Sequence, residues 1–139
     1  MKNAHAIIEY AGDDFFIATP PSGHSLVIDF NGERSSAAGP LELLLVALGG
    51  CTGADVVSVL RKKREQLTSY RIEVHGQRRE EHPKSFQRME VKHILRGRAL
   101  SESAVRQAID LSTNKYCSAA ATLRPTVEIV TSFEIHEQE

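Results

Sequence analysis

The sequence predicts an α+β fold, with antiparallel sheet and two helices packed on it. Three observations carry that expectation: short runs near both ends and in the middle of the chain alternate apolar and polar residues, two stretches carry helical spacing instead, and the resulting order is βββ-α-ββ-α-β. With 139 residues and 41% hydrophobic content the chain can close one core, so a single domain over residues 1–139 is expected.

Residues 4–30 hold three strand-like runs, "AHAIIEY", "DFFIATP" and "HSLVIDF", punctuated by Gly12, by Pro20-Pro21-Ser22-Gly23 and then by Asn31-Gly32. Gly39-Pro40 ends a loop, and proline suits the first turn of a helix because that turn needs no N–H from it. The following helix, in "LELLLVALGGCTGADVVSVLRKKR", is apolar on nearly every face from Leu41 to Leu48. After Cys51 the apolar set narrows to Val56, Val57, Val59 and Leu60, and Arg61 to Arg64 place positive charge at the carbonyl end, where the macrodipole favours it. Two strands follow, Tyr70–Gln77 and Phe86–Gly97. Ser101 then caps a helix with Ala104, Val105, Ala108, Ile109 and Leu111 at helical spacing, which delivers Tyr116 and Cys117. Thr126–His136 is the final strand.

Composition narrows the function classes. A net charge of −1 with both signs interspersed gives no electrostatic footprint for nucleic acid or an anionic membrane. The opening "MKNAHAIIEY" has too short an apolar stretch for a signal peptide, and Leu41–Leu48 falls far below the roughly 20 apolar residues that a bilayer demands. Cytoplasm is therefore the expected compartment, and there two cysteines are reduced or redox-cycling rather than a structural staple. The six histidines show no ligand spacing, so neither a metal nor another cofactor is expected.

A helix that is apolar on all sides is hard to enclose in so small a domain. One copy has too little sheet to cover Leu41–Leu48, so a second copy of the chain is expected to bury the helix between subunits. Gly49-Gly50 costs helix stability, about 1 kcal/mol per glycine relative to alanine. Such a pair is expected where another backbone comes close or where Cys51 needs room.

The stretches "GPLELLLVALGGCTGADVVSVLRKKR" and "LSTNKYCSAAATL" resemble the OsmC/Ohr family of thiol-dependent peroxide reductases. The YhfA-like branch of that family is the nearest match, and "PSGHSLVIDF", "QRREEHPKSF" and "LRGRALSESAVRQAIDLSTNKYCS" are similar to it as well. The resemblance implies an OsmC-like fold, an intertwined homodimer with antiparallel sheets, a long central helix and a second helix. It implies that Cys51 is the peroxidatic cysteine and Cys117 the resolving one. Organic hydroperoxides or hydrogen peroxide would be the oxidants, and a dihydrolipoyl thiol the reductant. The chain departs from the peroxidase pattern in three places. The glutamate ten residues before the first cysteine is replaced by Leu41, with Glu42 beside it; no arginine precedes Arg34, and "NAHA" with His5 stands near the expected position; the proline after the resolving cysteine is Ser118.

The chemistry itself needs only two thiols. A thiolate attacks a peroxide oxygen and becomes a sulfenic acid, which the second thiol condenses to a disulfide. Apolar burial opposes ionisation, so Cys51 needs a positive neighbour or hydrogen-bond donors. Asp55, one turn on along the same face, would work against it. His5, His24 or an arginine of a partner chain are the candidates. Glu42 lies nine residues before Cys51, about half a turn round and about 13–14 Å along a straight helix, so it could serve this thiol only from the other subunit. An ordinary first-turn carboxylate is its other reading. Two functions of different classes stay open. One is a peroxide or disulfide reductase cycling Cys51 and Cys117. The other is a non-catalytic dimer that binds a small hydrophobic ligand at the subunit interface.

Overall fold

The computed structural model of the protein describes residues 3–139. The chain forms two compact units, one running to Leu44 and the other from Leu45 to Glu139. The observed order is the one the sequence predicts, with a π-helical turn and a short third helix added before the last strand.

The first unit is a three-stranded antiparallel sheet of β1 (Ile7–Gly12), β2 (Phe15–Thr19) and β3 (Leu26–Asp29) in that order. Asp13 and Asp14 make the two-residue loop between β1 and β2, both at positive φ (52° and 65°). That geometry matches the right-handed twist of a hairpin, and aspartate tolerates it better than most residues. The loop after β3 is organised by buried Asp29. Its carboxylate accepts Arg34 Nε and Nη2, both at 2.9 Å, the Ser36 hydroxyl at 2.7 Å and the Asn31 amide at 2.8 Å. Arg34 foremost, despite the cost of burial, holds this carboxyl well below the usual carboxylate range.

Helix α1 spans Glu42–Lys62. At its start the Glu42 carboxylate accepts the Gly39 amide at 2.8 Å, the backward half of a capping box. At its end Glu65 N–H reaches the Leu60 carbonyl and Arg64 N–H the Arg61 carbonyl, both at 3.0 Å. This is a Schellman closure with Arg64 in the left-handed region at φ 59°. With 21 residues, α1 is long and apolar enough to cross a membrane by length and composition. The expectation from Leu41–Leu48 alone stopped too early, because the apolar run continues through the glycines to Leu60. In this structure the helix is a core element: Leu48, Gly49, Thr52, Gly53, Val56 and Leu60 are buried.

The second sheet joins β4 (Gln66–Arg78), β5 (Phe86–Arg98) and β6 (Glu128–Glu137) in that order. β4 and β5 are antiparallel, whereas β6 runs parallel to β5. The all-antiparallel pairing expected from sequence gives way here because the chain does not turn back directly. It crosses through α2 (Glu102–Leu111), a π-helical turn (Ser112–Tyr116) and α3 (Ser118–Leu123), and such a crossover delivers a parallel strand. Strict period-two alternation on β5 buries Met89, Val91, His93 and Leu95 and turns Arg88 and Lys92 outward, where they pair with Glu128 at 2.9 Å and Glu134 at 2.8 Å.

Val56 and Leu60 of α1, Leu95 of β5, and Val105, Ala108 and Ile109 of α2 form the core of this unit. Each large side chain buried there contributes roughly 1.5–3 kcal/mol. Ser101 caps α2 as expected, its hydroxyl accepting the Ala104 amide at 3.2 Å. Gly49 and Gly53 let α1 lie close on β4: a Cβ on Gly49 would stand 3.1 Å from Val74 Cγ2, and one on Gly53 2.6 Å from Ile72 Cδ1. Gly50 has nothing near it and faces a groove.

Candidate active site

The two thiols, 66 positions apart in sequence, meet in the second unit. Cys51 is half-buried on α1, Cys117 is buried, and neither is in a disulfide. Their side chains are close enough for Cys51 to perturb the ionisation of Cys117. Two elements bring this about. α1 carries Cys51 one residue before buried Thr52, and the π-helical turn swings the chain from the end of α2 to Cys117.

The turn is closed by the Cys117 amide, which donates to the Ser112 carbonyl at 2.8 Å. Cys117 then adopts an extended backbone and caps α3, its sulfur accepting the Ala120 amide at 3.3 Å. Burial pushes the Cys117 thiol up to about 11; the Ala120 amide opposes this, and neighbouring Cys51 and the charge of Asp55 add to it. Cys117 is therefore a protonated thiol at neutral pH.

Asp55 lies one turn beyond Cys51, and its carboxylate is engaged. The Ser112 hydroxyl donates to Asp55 Oδ2 at 2.9 Å. That uses the only proton on Ser112, so Thr52 is the donor in the 2.8 Å bond between their hydroxyls. Arg124, the residue that ends α3, also reaches this turn by donating to the Thr113 carbonyl. Tyr116 is half exposed and forms, with Asp55, Ser58, Val59, Lys62 and Leu111, the wall of a groove of about 440 Å³. A second, more apolar groove of about 430 Å³ lies beside Gly50, lined by Leu45, Val46, Gly49, Ile72 and Val74.

The other sequence candidates have their own places. Glu42 sits in the first turn of α1, and its carboxylate is taken up by the Gly39 amide. His5 and His24 are exposed in the first unit. Arg34 is committed to Asp29 and Asp13 and stacks 4.0 Å over the Phe15 ring. Ser118, where the peroxidase pattern has proline, opens α3. Among the described residues no group of three His, Cys, Asp or Glu side chains could hold a metal ion.

Sequence reasoning missed Thr52, Ser112 and His93. Each had a signal: Thr52 falls between Leu48 and Val56 on the buried stripe of α1, Ser112 extends the stripe of Ala108 and Ile109, and His93 stands between Val91 and Leu95 on the inner face of β5. His93 is fully buried and shares a 2.5 Å hydrogen bond between Nδ1 and the Tyr70 hydroxyl, while its Nε2 has no partner among the described residues. Burial lowers its pKa to about 4 and raises that of Tyr70, so both rings stay neutral near pH 7.

Comparison with known proteins places this arrangement. The family model described as OsmC-like protein matches residues 32–132. Protein YhfA of Escherichia coli strain K12 is 39% identical over 120 residues, covering 86% of this chain and 89% of that protein. The crystal structure of a hypothetical protein from Aquifex aeolicus VF5 superposes with a TM-score of 0.89 at 32% identity, covering both chains completely. The organic hydroperoxide resistance protein OhrB of Bacillus subtilis shares the fold, with a TM-score of 0.66 at 13% identity over 95% of this chain and 98% of its own.

Proposed function

The chain belongs to the OsmC-like protein family, and on that premise we propose that it reduces organic hydroperoxides or related oxidants through a cycle of Cys51 and Cys117. Family membership supports a redox role connected with peroxides. The observation that supports the finer reading is that the fold brings the two thiols into one neighbourhood, close enough for Cys51 to perturb Cys117. Cys51, the more accessible, attacks the peroxide: an S–O bond forms, the O–O bond breaks, and the leaving alkoxide takes a proton to become an alcohol. Cys117 keeps its proton until Cys51 is a sulfenic acid. The two sulfurs then join, and the hydroxyl on Cys51 leaves as water with the Cys117 proton. An external dithiol, such as a dihydrolipoyl group, restores both thiols.

The working unit on this reading is a cytoplasmic homodimer. Val46 is 66% exposed on α1, and Ile7, Ile8, Tyr10, Val27 and Phe30 leave apolar surface bare on the first sheet. A second copy of the chain is the cover these surfaces suit. Glu42 enters the chemistry only across that interface, since on its own helix it lies nine residues from Cys51.

The experiment is a mass measurement after one equivalent of cumene hydroperoxide. Wild type should lose two hydrogens; Cys117→Ser should gain one oxygen and form a dimedone adduct; Cys51→Ser should not react. If wild type loses neither thiol, or Cys51→Ser reacts as fast as wild type, the redox reading is wrong and a ligand-binding dimer becomes the better account.

A further inference from the structure

Ser112 is fully buried, and while its amide closes the end of α2 on the Ala108 and Ile109 carbonyls, its hydroxyl and its carbonyl are both directed at the segments that carry the thiols. Its hydroxyl accepts from Thr52, the residue after Cys51, and donates to Asp55, one turn further along α1. Its carbonyl accepts the amide of Cys117 across the π-helical turn. One residue thus ties the helix that holds Cys51 to the backbone that holds Cys117. π-Helical turns are rare, and a buried hydroxyl is dispensable for packing where an apolar side chain would fit. This one sits where a turn one residue too wide for an α-helix must be kept in register.

We propose that Ser112, clamped by Thr52 and Asp55, is a positioning residue for disulfide closure: it fixes the π-helical turn so that the Cys117 sulfur is in line with the Cys51 sulfur. The step it serves joins Cys51–S–OH and Cys117–S–H as a disulfide and one water; the S–O bond breaks, the S–S bond forms, and the Cys117 sulfur is oxidised while that of Cys51 is reduced. Attack on the peroxide involves only Cys51 and does not need the clamp. The proposal rests on the cycle described above for its oxidant, but not for its geometry.

Two measurements on the full chain separate these. In the first, Ser112→Ala is mixed with one equivalent of cumene hydroperoxide and quenched at intervals with dimedone. Sulfenic acid should form at the wild-type rate within about twofold, and closure should slow by about tenfold or more, the scale of one lost buried hydrogen bond, so the trapped fraction rises. In the second, the dithiol and disulfide are equilibrated in glutathione buffers, with no peroxide present. The effective concentration of one thiol toward the other should fall about tenfold in Ser112→Ala. Wild-type closure and wild-type effective concentration in a folded Ser112→Ala would overturn the proposal. If wild type forms no sulfenic acid, the peroxide reading fails, and the glutathione measurement alone decides the role of Ser112. Should Ser112→Ala not fold, Thr52 decides: Thr52→Ser keeps the hydroxyl and should match wild type, while Thr52→Val should behave as predicted for Ser112→Ala. Wild-type closure in Thr52→Val would overturn the proposal.

Discussion

At neutral pH the Cys117 sulfur keeps its proton because burial outweighs the single amide that reaches it, which suits a thiol that waits for its partner to be oxidised. His93 is held neutral by the same physics. Its pKa falls from 6.5 to about 4, so between those values the unfolded chain binds a proton that the folded chain refuses. Stability is therefore complete above pH 6.5 and declines as the pH falls toward 4, by about 3 kcal/mol from this residue. Urea unfolding at pH 7 and pH 4.5 should show a smaller acid loss in His93→Gln than in wild type; equal losses would remove His93 as the cause. Gly97 is a second residue with a definite cost. A Cβ there would run into the Gln66 carbonyl oxygen, which is backbone and cannot swing away, with Leu100 Cδ1 only 2.9 Å off. Gly97→Ala should cost about 3 kcal/mol or more in the same assay. Both thiols were legible in the sequence. The residues that place them were not, because Thr52 and Ser112 occupy buried stripes where a short polar side chain reads as tolerated rather than required.

Among elements, the long helices and strands followed from hydrophobic period, and their observed ends lie within a few residues of the predicted ones. Two features escaped. The π-helical turn follows α2 where the sequence predicts only a helix that delivers Tyr116 and Cys117, and its cause is a bond of a backbone amide to the fifth carbonyl before it, for which side-chain periodicity carries no mark. The parallel β5–β6 pair escaped for a similar reason: alternation fixes which side chains face inward, and it does so equally for either strand direction. The end of α1 shows how local rules can be broken at a cost. Its Schellman closure is made on Arg64 rather than on glycine, in a region that penalises a Cβ. Arg64→Gly should raise stability by about 0.5–1 kcal/mol, read as a higher urea midpoint at an unchanged slope. A lower midpoint would mean that the arginine side chain makes a stabilising interaction.

For the whole molecule, the bare apolar surface makes a dimer the proposed working form. Val46 is the residue to test, because its exposure in a single chain means that a charge there need not disturb that chain's own core. Light scattering at micromolar concentration should give twice the chain mass for wild type and one chain mass, or loss of folding, for Val46→Asp. A dimer that tolerates Val46→Asp would place the interface elsewhere, and a wild-type monomer would exclude it. The crossover between β5 and β6 has a consequence for how the protein is made. Cys51 emerges from the ribosome with α1, and the β4–β5 hairpin can pair soon afterwards from neighbouring residues. Residues 99–127 must then be synthesised and β6 laid alongside β5 before the segment bearing Cys117 is locked in place. Throughout that interval the nascent chain holds a thiol with no partner to rescue it. On the proposed cycle, excess oxidant met then would carry Cys51 past the sulfenic acid to forms that no disulfide can reverse, because the resolving thiol is not yet in place.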